Sequence, residues 1–405
     1  MKNLARHLYR QFRARALQHM IPKSPAHLPQ SADDLYIEVI GFFHSISGIG
    51  ESARLCAQQL AADGYRVTCT SVEGFFRKPE ELPWHWPEST SDKNSHEHKN
   101  KTVNCRIYHL NPPMLPPVIY QMGLGNFKKT YNIGYWAWEL EVIPDEWISA
   151  IRYMNAIITP SSFTTNVIQR YANSPVLTAT HPVTAGEATA NMRQRLNIPE
   201  QAFLISSIFS FGSAMERKNP QALIAAFKQA LAAKSDAYLV LKANAGGDSP
   251  ENRALLAALV EQSNIILVDQ HWSRADVNGL IQSSDLYASL HRSEGFGLTI
   301  AEAMLLGTPV LTTAWSGNMD FCTAENSFLV PYKPILVNST HPEFSELTHA
   351  TWADADSEFC TRILADIYRQ RDLLTAKKTC CAQQVQLCIN NHKYQRALQQ
   401  LINAQ

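Results

Sequence analysis

Apolar positions along this chain switch repeatedly between two periods. YIEVIGFF (36–43) is a dense apolar run and predicts a strand. ESARLCAQQLAADG (51–64) has helical spacing and closes on Gly64. RVTCTSV (66–72) and CRIYHL (105–110) predict strands, the second followed by the prolines of NPPMLPP. YNIGYWAW (131–138) and AIITPSS (156–162) predict buried strands. Strands alternating with helical segments imply a parallel sheet with helices on both faces.

The pattern restarts after about residue 185. FLISSIFS (203–210) predicts a strand and NPQALIAAFKQALAAK (219–234) a helix. Asn219 is the expected N-cap, Pro220 the first helical residue, and Leu223, Ile224, Phe227 and Leu231 its buried face. YLVLKA, NIILVD, DLYASL and PVLTTA supply further strands. The fold class expected is α/β: two Rossmann-like domains facing each other across a cleft, joined near HPVTAG (181–186). The boundaries read as 1–30, a basic amphipathic segment; 31–183, the N-terminal domain; 184–385, the C-terminal domain; and 386–405, a last helix crossing back to the N-terminal domain. The crevice between such domains is the default ligand site.

Composition fits this reading. A chain of 405 residues with 45% hydrophobic and 18% charged residues has ample length for two cores. Lys+Arg and Asp+Glu both total 36, so no global basic field argues for nucleic acid as partner. The eight cysteines form no Cys-x-x-Cys pair, which speaks against zinc and for free thiols in a reducing, cytoplasmic compartment. Residues 1–20 place Leu4, Leu8, Phe12 and Leu17 among five basic residues. That helix is a candidate for peripheral contact with an anionic membrane face, or for packing on its own protein. Residues 88–102 predict an exposed polar loop.

The chemistry concentrates in HRSEGFGLTIAEAMLLGTPVLTT (291–313). A strand runs into a loop carrying Glu294; Gly295 and Gly297 allow a tight turn; a helix carrying Glu302 follows and ends at Gly307. The amides of Phe296, Gly297, Leu298 and Thr299 form a helix start that attracts phosphate. Carboxylates repel phosphate but accept strong hydrogen bonds from hydroxyls. A ligand with a sugar, a pyrophosphate and a ribose satisfies all three features, and that ligand is a nucleotide sugar.

Glu-x7-Glu in EGFGLTIAEAMLLGTPV resembles the signature of retaining GT-B glycosyltransferases of the family 4 type. SFGSAMERKNPQALIAAF (210–227) resembles the family's basic phosphate-binding segment, and WSGNMDF (315–321) the segment after the donor site. GYWAWELEVIPDEW and ITPSSFTTNVI resemble the N-terminal domain of bacterial polysaccharide-building members. The resemblance implies that Glu294 binds donor-sugar hydroxyls and that Phe296, Gly297 and Leu298, with Gly295, serve the phosphates. It implies that Glu302 holds the ribose and that Lys218, with Arg217, neutralises the pyrophosphate. Many members carry an arginine where this chain has Gly212, so Arg217 or Lys242 is the candidate second cation. His109, at the end of CRIYHL, is the candidate to face the donor sugar, or a satisfied strand-end histidine. Trp138 and Glu139, with Trp136, are candidates for the acceptor side or for plain core. His291, Arg292 and Ser293 adjoin the motif and are candidate lining residues.

The activity so implied is metal-independent, cofactor-free transfer of a hexose, mannose among the candidates. The donor is GDP- or UDP-linked, and the acceptor is a glycan or lipid-linked glycan in cell-surface polysaccharide (lipopolysaccharide) synthesis. Asp354-Ala-Asp356 is read as a helix cap, not a metal pair. A rival is written in HSISGIGESAR (44–54). Gly48-x-Gly50-x-x-Ala53, with Glu73 about twenty residues on, matches a dinucleotide fingerprint and suggests an NAD-dependent oxidoreductase. A non-catalytic sugar-nucleotide-binding protein is the third reading.

Overall fold

The computed structural model describes residues 20–86, 102–244, 250–261 and 264–404. The basic segment expected over residues 1–20 lies outside them but for Met20, as do residues 88–101 of the polar stretch. The chain divides into two compact units, Met1–Pro182 with Ile389–Gln405, and Val183–Cys388.

The first unit is built on six parallel strands: β1 (Tyr36–Gly41), β2 (Arg66–Ser71), β3 (Cys105–Tyr108), β4 (Tyr131–Tyr135), β5 (Ala156–Thr159) and β6 (Val176–Thr178). Their order is β2-β1-β3-β4-β5-β6. Residues of β3, β4 and β5 are buried throughout. That is why they read as continuous apolar runs: helices cover both faces of a parallel sheet. The helix Tyr394–Asn403 belongs to this core, with Tyr394, Ala397, Leu398 and Leu401 packed beside Ile37, Val39, Cys56 and Leu60.

The helix Gly48–Ala62 starts three residues before its apolar periodicity does, because Ser47 caps it by accepting the Gly50 N–H at 3.2 Å. Gly50 presses on the turn after β1. A Cβ there would lie 2.5 Å from the Phe42 carbonyl oxygen and 2.7 Å from that of Ser45. Gly50→Ala is therefore expected to destabilise the protein by about 1–3 kcal/mol, read as a lower urea midpoint. Gly48→Ala, where a Cβ meets nothing within 4 Å, serves as the control.

The second unit repeats the plan with β7 (Phe203–Ser210), β8 (Ala237–Asn244), β9 (Ile265–Val268), β10 (Leu286–Ser289), β11 (Val310–Thr313) and β12 (Phe328–Val330), in the order β12-β11-β10-β7-β8-β9. An antiparallel pair follows, β13 (Tyr332–Leu336) and β14 (Thr351–Ala355). The core joins Ile205, Leu239, Leu241, Leu286 and Leu311 of the sheet to Leu223, Ile224, Phe227 and Leu231 of the helix Pro220–Leu231. Asn219 does stand at that helix's N-cap position, but its φ of 50° is left-handed and its side chain makes no cap. The Asn219 amide donates to the Leu290 carbonyl at 3.1 Å instead, tying the helix start to the end of β10.

Candidate functional site

In parallel α/β sheets ligands gather at the carboxyl ends of the strands. At that end of β10 the chain turns through His291, Arg292, Ser293, Glu294, Gly295 and Phe296 into the helix Leu298–Leu305. Gly297 adopts φ 92° at the N-cap, and no side chain caps the helix. The amides of Ile300 and Ala301 are bonded to the Gly297 carbonyl, so the helix start presents Leu298 and Thr299 as its leading donors. Two ties fix the loop from the segment after β11. The Glu294 N–H donates to Ser316 Oγ at 2.8 Å, and the Gly317 N–H donates to the Glu294 carbonyl at 3.0 Å. Gly317 lies so close that a Cβ would fall 2.3 Å from the Gly295 carbonyl oxygen.

The Glu294 carboxylate meets two cations, both from the turn after β7. Lys218 Nζ donates to its Oε1, and Arg217 Nη1 lies 3.4 Å from its Oε2. Burial opposes ionisation, but Lys218 and then Arg217 outweigh it and hold the carboxyl down to about 2. Arg217 is itself buried and donates to the Ser293 carbonyl at 2.8 Å. It serves the loop and Glu294. Lys242, the other candidate, is buried on β8 and donates to the Ala243 carbonyl at 2.9 Å. Burial lowers its ammonium to about 8, Asp269 opposing. Gly212 is exposed in the turn after β7 and adds no charge.

Glu302 is buried on the helix Leu298–Leu305 and accepts from Arg274 Nη2 at 2.5 Å. Arg274 opens the helix Arg274–Ser283 after β9, half exposed, and no sequence pattern marked it. His291 is buried, with Nε2 3.2 Å from the Trp315 carbonyl and from Asn318 Oδ1. Burial keeps its imidazole below the ordinary value. Asp356 caps the helix Ser357–Arg369, accepting the Phe359 N–H at 2.9 Å, while Asp354 pairs with Arg292.

The other expected residues lie in the first unit. His109, at the end of β3, is fully buried: its Nδ1 is 2.8 Å from Ser52 Oγ and its ring stacks on Tyr135 at 4.3 Å. Its Nε2 has no hydrogen-bond partner among the described residues, and burial disfavours the charged ring. Gly48 and Gly50 sit in the first turn of the helix that carries Ser52. Trp138 is not an exposed platform. It is 1% exposed, packs on Trp147 at 4.6 Å, and donates its indole N–H to the Val142 carbonyl at 2.7 Å. Glu139 beside it is partly buried. Glu73 is buried and accepts the His44 N–H at 2.7 Å and the Ser71 hydroxyl. It holds the turn after β1, so the ribose-binding acid of a dinucleotide site is otherwise engaged.

Residues 189–334 match the family model described as Glycosyl transferases group 1, which spans β7 to β13 and every element of the Glu294 site. The chain is a glycosyltransferase. No curated protein matches it. Among solved structures it resembles Anabaena Alr3699/HepE in complex with UDP-glucose, with 15% identity, a TM-score of 0.59, and coverage of 91% of this chain and 99% of that one. It also resembles sucrose-phosphate synthase from Thermosynechococcus elongatus, with 14% identity, a TM-score of 0.62, and coverage of 92% and 100%. WaaG, a glycosyltransferase involved in lipopolysaccharide biosynthesis, gives 16% identity, a TM-score of 0.58, and coverage of 86% and 95%. These likenesses establish the enzyme's fold as GT-B, with two parallel-sheet Rossmann-like domains. Among the described residues, no helix is long and apolar enough to cross a membrane.

Proposed function

We propose that this glycosyltransferase is of the family 4 type and moves a hexose from a GDP- or UDP-linked donor to a glycan or lipid-linked acceptor, with retention of configuration. The carrying observation is the arrangement around the helix Leu298–Leu305. One partly buried carboxylate stands before its uncapped start, paired with Lys218, and a second is buried on its body. Glu294 accepts hydroxyls of the sugar, the helix start and Lys218 take the pyrophosphate, and Glu302 takes the ribose diol. Solved complexes of one protein of similar fold, Anabaena Alr3699/HepE, hold UDP-glucose and UDP with glucose, which fits this division of the site.

In the reaction, the bond between the anomeric carbon and the leaving phosphate oxygen breaks. The acceptor oxygen bonds to that carbon on the same face and gives its proton to the leaving phosphate. The protein contributes positioning and electrostatic stabilisation of the phosphate charge. Cell-surface polysaccharide synthesis is the setting this reading favours.

A thermal-shift screen of nucleotide sugars, run without added metal, tests it. One GDP- or UDP-sugar should raise Tm, with a stabilisation of ~2.7 kcal/mol at about 100 times Kd. Glu302→Ala should lose most of that shift. Stabilisation by NAD(H) alone would refute the assignment.

A further inference from the structure

The Arg217–Lys218 cations ride on a helix of only four residues, Met215–Lys218, entered through Ala214 at φ 58°. One helical turn has almost no stability of its own, so something else must set where Lys218 points. Arg292 does this from the facing loop. Its N–H donates to the Arg217 carbonyl at 2.7 Å, and its Nη1 donates to the Glu216 carbonyl at 2.8 Å. Its Nε and Nη2 donate to Asp354 Oδ1 at 3.2 and 3.0 Å, and its own carbonyl accepts the Ala353 N–H at 2.9 Å.

Ala353 and Asp354 belong to β14, beyond residue 334 where the family match ends. The connection between β13 and β14 adds a further tie: Ser339 Oγ donates to Glu216 Oε2 at 3.2 Å. A hairpin whose second strand lies beyond the matched domain thus holds both the Lys218 helix and the Glu294 loop through one arginine.

We propose that Arg292 and Asp354 are a positioning pair, through which the β13–β14 hairpin sets Lys218 for the donor's terminal phosphate. The inference rests on the nucleotide-sugar reading above. Asp354 is 44% exposed at its side chain, so the pair adds little to global stability. Its effect is geometric, and a displacement well under 1 Å suffices to weaken a charge-assisted contact.

The test is calorimetric titration of wild type, Asp354→Asn, Asp354→Glu and Arg292→Lys with UDP, UMP, GDP and GMP, beside each protein's Tm. Asp354→Asn and Arg292→Lys are expected to weaken binding of the diphosphate ~10-fold. Monophosphate binding and Tm should stay near wild type, and Asp354→Glu should recover part of the loss. An unchanged diphosphate-to-monophosphate ratio in Asp354→Asn overturns the positioning role, as does a loss shared equally by the monophosphate. Wild type that binds neither UDP nor GDP overturns the underlying reading instead.

Discussion

Lys218→Met is expected to lower sugar transfer by ~10²–10³-fold, the scale of removing one preorganised charge from a developing anion. Methionine keeps most of the volume of the lysine stem, so packing should survive. What disappears is the cation on Glu294 Oε1, leaving that carboxylate with Arg217 at 3.4 Å. Arg217 is placed differently, with its Nη1 donating to the Ser293 carbonyl at 2.8 Å. Lys242 is buried on β8. The loss should fall mainly on kcat if Lys218 acts on the leaving phosphate, and on KM if it only holds the donor. Donor hydrolysis, followed as release of the nucleoside diphosphate, measures both without knowledge of the acceptor. Turnover within a few-fold of wild type would remove Lys218 from the chemistry.

The two parallel sheets were legible because their central strands are buried on both faces and so appear as unbroken apolar runs. β6 (Val176–Thr178) and β12 (Phe328–Val330) lie at sheet edges and have three residues each, too few to show a period. The β13–β14 hairpin was illegible for another reason. Lys333, Pro334 and Leu336 are exposed, so the strand carries neither an apolar run nor an alternating one.

Within the site, the type and spacing of Glu294 and Glu302 were readable. Their partners were not, because Arg217, Arg274 and Ser316 meet the carboxylates or their backbone only through tertiary packing. Nothing distinguished Arg274 from any surface arginine at a helix start. Trp138 shows the converse. An aromatic–acidic cluster at a strand end suits a sugar platform or a core equally well, and packing decided for core.

Glu294→Gln should cost both activity and stability, and the stability loss should depend on pH in a definite direction. The carboxyl sits at about 2 in the folded protein against an ordinary 4.5. A group depressed by folding stabilises above its unfolded value, and that contribution fades as pH falls through the folded one. The separation corresponds to roughly 3 kcal/mol, present at neutral pH and lost between about pH 5 and pH 2. Glutamine removes it at every pH and leaves Lys218 and Arg217 facing each other without a counter-charge, a change of about 3–5 kcal/mol. Other carboxylates titrate over the same range in both proteins, so the difference between wild type and variant isolates this one. Denaturant unfolding at a series of pH values should show a gap near its full size at pH 7 that closes toward pH 2. A gap independent of pH would mean that Glu294 is not the charge holding these two cations in place.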